Sequence, residues 1–251
     1  MGAHGALGDR GGVIARTAAV IEPGGVLGEL ACTPPLTLRQ VRSDVRDRCE
    51  LRLVGTAAGP LAGDNLSISL RLRAGARATL RATGASLAQG RGGGAAALSI
   101  RADLAEGSDL VADPGALIVC HGSRVDVRVE LALAAGAAVE WRELIVLGRT
   151  GEPPGGATLR WDVTRAGRPV LRQFVDLADP ALTAWAGLTA HRRVLACALI
   201  ADPAGTPRTV VSSPTSVAQR VAGQALLVSV LGDDAVGATQ ELDDLCARAR
   251  G

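Results

Sequence analysis

Strict alternation of apolar and polar side chains marks the stretch Leu66-Ser67-Ile68-Ser69-Leu70-Arg71-Leu72-Arg73. A period of two places the apolar side chains on one face of an extended chain, so this stretch predicts a half-buried β-strand. The same pattern recurs at 125–131, where the residues are Val-Asp-Val-Arg-Val-Glu-Leu, and at 159–164, where they are Leu-Arg-Trp-Asp-Val-Thr. The sequence therefore predicts a mainly β protein.

The turns that follow these strands recur at regular spacing. Glycines stand at positions 75, 107, 136 and 167, each between two strand-like runs, and their separations are 107−75 = 32, 136−107 = 29 and 167−136 = 31 residues. Glycine supplies the positive φ that tight turns require. A repeat of about 30 residues predicts stacked β-hairpins in a solenoid-like arrangement, in which each hairpin covers the face of its neighbour.

Helix signals are confined to the C-terminal part. Ser213-Pro214 offers an N-cap followed by proline at the first helical position, and Gly223 can end that helix. The tail from Asp234 to Arg250 places Leu242, Leu245 and Cys246 on one face and predicts a second helix. Residues 225–231 between them predict a buried strand, residues 1–12 a flexible leader, and residues 13–251 a single β-rich domain.

The composition excludes several kinds of chemistry. All 27 basic residues are Arg, so a phosphate-binding loop that needs Lys and a Schiff-base Lys enzyme are both excluded. The net charge is +2 and aromatic residues make up 2% of the chain, which disfavours nucleic acid as a partner. Neither a serine-hydrolase elbow nor an H-E-x-x-H zinc motif occurs.

Cysteine usage and hydropathy indicate a reducing compartment. The five cysteines are an odd number, widely spaced and without a C-x-x-C pair, which favours free thiols. No apolar run approaches 18 residues and the N-terminus has no apolar signal core, so no membrane is expected. The simplest interpretation is a cytoplasmic protein.

Several segments together resemble one family, the urease accessory proteins of the UreD/UreH type, in its actinobacterial branch. Gly59-Pro60-Leu61-Ala62-Gly63-Asp64 before an alternating strand resembles the family's G-G-x-x-x-G-D signature. Residues 141–152 resemble its acidic-x₄-G-R segment, which is followed by G-E. Residues 118–124 and 165–173 resemble the segments before and after it, and Gly232-Asp233-Asp234 resembles its tail. The resemblance extends from about residue 13 to the end.

The resemblance implies a two-layer helical stack of β-strands with about two α-helices near the C-terminus. It implies a protein without catalytic activity that assists nickel insertion into urease. The implied partners are the urease structural subunits, a helical accessory protein of the UreF type and a nickel-carrying GTPase of the UreG type. No tightly bound cofactor is implied, and nickel is carried transiently. The residues that match the family motifs are Gly63, Gly148, Arg149, Gly151 and Glu152.

Two carboxylates within these motifs are candidates for a nickel passage. Asp64 opens a strand, where its carboxylate either caps backbone N–H groups in an Asx-type turn or lines the passage. Glu143 and Arg149 flank the run Leu144–Leu147, where they either form a structural ion pair at the strand end or have a role in the family's site.

The chain also contains one adjacent pair of softer metal ligands, Cys120-His121. Adjacent residues on a strand point to opposite faces and rarely bind one metal ion, so a buried Cys beside an exposed His is favoured over a metal site. Two other functions stay open on the sequence: a β-solenoid enzyme that depends on carboxylates, and a structural β-repeat adaptor with an unrelated partner.

Overall fold

The computed structural model describes residues 12–90, 94–179, 181, 189–205, 208–222 and 224–250. The predicted leader, residues 1–12, therefore lies outside the described residues except for Gly12. The strands of the described ranges are β1 Ile14–Glu22, β2 Val26–Cys32, β3 Leu36–Val41, β4 Cys49–Gly55, β5 Asn65–Leu72, β6 Arg77–Ala82, β7 Ser86–Ala88, β8 Ala96–Leu104, β9 Asp109–Asp113, β10 Ala116–Val119, β11 Arg124–Leu133, β12 Ala138–Leu147, β13 Gly156–Arg165, β14 Arg168–Asp176, β15 Val194–Ala201, β16 Val210–Ser213, β17 Ser216–Val221 and β18 Ala225–Gly232. The described α-helix, α1, is Ala235–Arg250.

These strands form two sheets that face each other. Sheet 1 has the order β14-β13-β11-β8-β5-β1-β2, and sheet 2 has the order β16-β17-β18-β15-β12-β9-β6-β4-β3, with β10 paired to β12 and β7. The three alternating stretches in the sequence fall within β5, β11 and β13, so the strand predictions are confirmed. The predicted mainly β, two-layer, solenoid-like stack is likewise confirmed.

The repeating unit of the stack differs from a hairpin. In sheet 1 the run β1, β5, β8, β11 and β13 is parallel throughout, and in sheet 2 β4, β6, β9 and β12 are parallel. The turns at Gly75, Gly107 and Gly136 therefore lead from a strand in one sheet to a strand in the other. Only the turn at Gly167 joins antiparallel neighbours, β13 and β14. A glycine can stand in a turn of either kind, so the glycine spacing alone does not distinguish the two arrangements.

The main hydrophobic core lies between the two sheets. It is filled by the inward-facing Leu, Ile, Val and Ala side chains of both sheets, together with the fully buried Trp141 and Trp161. Small aliphatic side chains suit this arrangement because parallel strands at successive levels repeat closely, and each side chain packs on its equivalent one level away. The near absence of aromatic residues is thus compatible with a continuous core.

The C-terminal part corrects one helix prediction. The segment from Ser213 to Gly223 was predicted as a helix, but Val210–Ser213 and Ser216–Val221 are antiparallel strands, and Gly223 lies outside the described residues. Ser213 caps a tight turn instead, since its hydroxyl accepts a hydrogen bond from the Thr215 N–H at 3.2 Å. The predicted buried strand at 225–231 is confirmed as β18.

Helix α1 is confirmed where the tail predicted it, and it covers the outer face of sheet 2. Asp234 caps its N-terminus by accepting a hydrogen bond from the Gly237 N–H at 2.8 Å. Leu242, Leu245 and Cys246 pack against β15 and β18, which explains why those two strands are apolar on both faces. Ion pairs to the β12 side chains add to this docking, Arg142–Asp243 and Arg250–Glu140, both at 2.5 Å.

Among the described residues, no helix combines the length and the apolar character needed to cross a lipid bilayer.

Candidate functional site

Most segments that resemble family motifs lie at one end of the stack, which we call the motif end, whereas the segment 165–173 lies around the β13–β14 turn at the opposite end. The motif end consists of four loops: residues 59–64 before β5, residues 88–90 after β7, residues 120–123 between β10 and β11, and residues 148–155 after β12. The parallel course of the strands explains this, because the loops that lead from sheet 2 back to sheet 1 must all lie opposite the turns at Gly75, Gly107 and Gly136. Segments that are far apart in sequence are therefore neighbours.

Backbone hydrogen bonds tie these four loops into one column. The Ala62 N–H donates to Gln89 O at 3.2 Å, and the Cys120 N–H donates to Ala88 O at 3.0 Å. The Gly148 N–H then donates to Val119 O at 2.7 Å. The motif end is therefore a continuous hydrogen-bonded surface and not a set of separate loops.

Asp64 holds the first of these loops. Its Oδ1 accepts a hydrogen bond from the Val13 N–H and its Oδ2 from the Leu61 N–H, both at 2.8 Å, and the residue is buried. Gly63, just before it, has φ +82°, a conformation that favours glycine. The structure thus shows the Asx-type capping that the sequence offered as one interpretation of Asp64.

Glu143 lies on the inner face of β12, between the two sheets. Its side chain is buried, and its Oε1 accepts a hydrogen bond from the Trp141 Nε1–H at 2.8 Å. Burial is the main cause of a pKa of about 7 for Glu143; the hydrogen bond from Trp141 opposes the rise and the charge of Asp113 adds to it. The carboxyl group is therefore poised between its acid and its ionised form near neutral pH.

Two adjoining cavities lie near Glu143 and the motif end. A small cavity of about 20 Å³, room for about one water molecule, is lined by Glu143, Pro60 and Leu117 among others. A larger cavity of about 230 Å³ lies beside loop 82–89 and the residues before the 59–64 loop. Three residues line both cavities: Leu36, Leu53 and Ser86.

Arg149 does not pair with Glu143, so the structural ion pair, one of the two interpretations of these residues, is wrong. Its guanidinium instead pairs with the Glu152 carboxylate, three residues on, and the Arg149 N–H donates to Glu152 Oε2 at 3.1 Å. The Arg149 side chain lowers the pKa of Glu152 to about 2, and the Glu152 carbonyl accepts a hydrogen bond from Arg193. This exposed clamp fixes the shape of the loop after β12.

Gly148 opens the same loop at a position that needs glycine. Its φ is +87°, and a Cβ built there would lie 2.8 Å from the Pro153 carbonyl oxygen. Gly151, in the middle of the loop, also has a positive φ of +78°, but no atom lies within 4 Å of its built Cβ. Of these two glycines, only Gly148 therefore has a close backbone neighbour that excludes a side chain.

Cys120 and His121 form the turn between β10 and β11. Cys120 is buried and His121 is exposed, as predicted by the interpretation that gives this pair no metal. The turn closes through the Ser123 N–H, which donates to Cys120 O at 3.0 Å. Within the ranges that the structure describes, no three His, Cys, Asp or Glu side chains are grouped closely enough to hold a metal ion.

Sequence reasoning missed two features of this site. The burial of Glu143 could have been predicted from the sequence. Glu143 is two residues from both Trp141 and Ile145, so on a strand all three side chains face the core. The contact between the turn at Cys120 and the loop at Gly148 left no signal in the sequence, because it arises from the parallel pairing of β10 with β12.

Comparison with known proteins identifies the family of this chain. A family model described as UreD urease accessory protein matches residues 15–251. Urease accessory protein UreD 1 of Saccharopolyspora erythraea is 37% identical over 217 residues, which are 83% of this chain and 83% of that protein. Urease accessory protein UreD 1 of Streptomyces griseus is 34% identical over 206 residues, which are 81% of this chain and 78% of that protein. Urease accessory protein UreD of Streptomyces coelicolor is 33% identical over 230 residues, which are 89% of this chain and 90% of that protein. The chain therefore belongs to the UreD family of urease accessory proteins.

Proposed function

We propose that this chain matures urease by holding the apoprotein together with the other accessory proteins while nickel enters the active site. Membership in the UreD family supports the maturation role. The proposed partners are the urease structural subunits, a helical accessory protein of the UreF type and a nickel-carrying GTPase of the UreG type. In this proposal the protein acts in the cytoplasm, positions its partners and catalyses no reaction of its own.

The buried carboxyl group of Glu143 carries the second half of the proposal, a nickel passage through the stack. It lies on the small cavity that adjoins the larger one at the motif end. A carboxyl group whose pKa is about 7 can release a proton and accept a divalent cation at neutral pH without a large change in its environment. The cavity has room for about one water molecule, so an ion that has shed its water shell would meet an oxygen ligand there.

The neighbours of Glu143 favour weak binding over tight binding. Cys197 stands opposite Glu143 on the adjacent strand β15. Burial raises the pKa of the Cys197 thiol to about 12, so it stays protonated and does not act as a thiolate ligand. One carboxylate beside a neutral thiol attracts Ni²⁺ without trapping it, which is what a passage requires.

Asp64 has a supporting part in this proposal. Its two oxygens hold the loop that contains Gly59 and Pro60, and these two residues line the larger and the smaller cavity respectively. Loss of the carboxylate would release this loop and alter the entrance. The Asp64 carboxylate also adds negative charge near the entrance.

The test of the maturation role is co-expression. The urease structural genes and the remaining accessory genes are expressed with and without this chain, and urease is purified from both cultures. We expect nickel-loaded urease only with the chain present, and co-purification of a tagged chain with apo-urease and the UreF-type protein. Full nickel loading without the chain, or a chain that captures none of these partners, would contradict the proposal.

A further inference from the structure

A second open cavity lies at the opposite end of the stack from the motif end. Its volume is about 670 Å³, and it is bordered by the β13–β14 turn and by the segment between β17 and β18. Its polar lining consists of Arg165, Arg168 and Gln224. The remaining walls are small and apolar, and they include Ala135, Pro169, Val170, Pro203 and Ala222.

Arg165 is a partly buried cation whose charge is poorly compensated. Its Nη2 donates one hydrogen bond, to Ala137 O at 3.3 Å, and its Nε is buried without a hydrogen-bond partner. Burial lowers the pKa of Arg165, and the nearby charge of Asp202 offsets this only in part. Asp202 uses its Oδ1 to accept a hydrogen bond from the Ala204 N–H at 2.9 Å.

Three arginines on the opposite face of the same sheet have the partner that Arg165 lacks. On the outer face of sheet 1, Arg101, Arg128 and Arg160 each lie within ion-pair distance of a carboxylate. Among the described residues, no carboxylate comes within 4.0 Å of the Arg165 guanidinium. A partly desolvated guanidinium without a counter-charge lowers stability unless an anion completes its surroundings.

We propose that this cavity binds a carboxylate group, with Arg165 as its counter-charge and with Arg168 and Gln224 as further hydrogen-bond donors. The planar guanidinium matches the two oxygens of a carboxylate. The apolar walls fit the short carbon arm that carries it, which favours a carboxylate over a strongly hydrated inorganic anion. The group can come from a free small carboxylic acid or from a glutamate side chain of a partner protein, since both present the same chemistry.

The test is a titration of the full-length chain, fused to a soluble carrier protein, with sodium butyrate and separately with N-acetylglutamate amide. The ionic strength is held constant with chloride, the carrier alone is the blank, and heat release is measured. We expect saturable binding that weakens at least about tenfold in Arg165→Gln, because a hydrogen-bonded charge pair is lost. The matched control is Arg71→Gln, which removes an equal charge from an exposed position on β5 and should bind as the wild type does.

The two ligands identify the source of the carboxylate. Tighter binding of the glutamate derivative points to a protein side chain, and equal or tighter binding of butyrate points to a small acid. If the Arg165→Gln variant loses its native circular dichroism spectrum, the same titration is carried out with Arg168→Gln. This variant should bind the carboxylate severalfold more weakly than the wild type. Absence of saturable binding for both ligands, or wild-type affinity in a folded Arg165→Gln variant, would overturn the proposal.

Discussion

Replacement of Glu143 by Gln should change how the stability of the protein depends on pH. Glutamine has the same shape and can still accept the hydrogen bond that Trp141 donates at 2.8 Å, so packing is preserved. It has no proton to lose, whereas the buried carboxyl group has a pKa raised from 4.5 to about 7. The substitution therefore removes one titration and leaves the rest of the molecule unchanged.

The size of the effect follows from that pKa. Between pH 4.5 and 7 the unfolded chain has already lost the Glu143 proton while the folded protein retains it, so wild-type stability falls as the pH rises through this window. Above pH 7 both states are ionised and the loss is complete. Since one pKa unit corresponds to about 1.4 kcal/mol, the loss amounts to about 3 kcal/mol. Glu143→Gln should show none of it.

Urea unfolding, followed by tryptophan fluorescence from pH 4 to pH 8.5, measures this difference. All other titrating groups are common to both proteins, so the gap between their free energies of unfolding isolates Glu143. As the pH rises, we expect the free energy of unfolding of the variant to increase by about 3 kcal/mol relative to that of the wild type. Above pH 7 to 8 the difference should stay constant. Parallel stability curves for the two proteins would show that Glu143 titrates normally and is not the buried group described above.

Three further predictions concern the motif end. Gly148→Ala should lower the free energy of unfolding by about 1–3 kcal/mol more than Gly151→Ala does. Both substitutions strain a positive φ, but only Gly148→Ala also brings a Cβ against a backbone atom. Equal losses of stability in urea unfolding would contradict this. Arg149→Ala should leave the unfolding midpoint close to the wild-type value, because its ion pair with Glu152 is exposed to solvent. A large drop in the midpoint would contradict this. The double variant Cys120→Ala, His121→Ala should activate urease in cells nearly as well as the wild type, and loss of activity from a protein that still assembles would reveal a metal role for this pair.

The strands and their stacking were predictable from the sequence because their signal is local. In β5 and β11 each apolar residue is two positions from the next, and this spacing alone fixes which side chains face the core. The repeat of glycines predicted a stack with a period of about 30 residues. It did not distinguish hairpins from layer-crossing turns, because both place a glycine after about every 30 residues.

The errors arose where a local signal competed with long-range pairing. Ser213-Pro214 has the features of a helix start, but the segment pairs with β18 and the serine caps a strand turn. Glu143 and Arg149 are close in sequence and opposite in charge, which suggested an ion pair. The strand between them points Glu143 into the core, so its surroundings are set by residues on other strands.

The most direct test of the nickel passage is the nickel content of urease matured with the Glu143→Gln variant. Urease is co-expressed with the accessory proteins and with the wild type, with Glu143→Gln, or with Glu130→Gln, a matched control on the outer face of sheet 1. Nickel per active site is measured in the purified urease, and capture of the accessory complex is measured in the same cultures. We expect Glu143→Gln to assemble normally but to yield urease with markedly less nickel, while Glu130→Gln gives the wild-type value. Full nickel loading with Glu143→Gln would contradict the passage and leave the protein a scaffold alone.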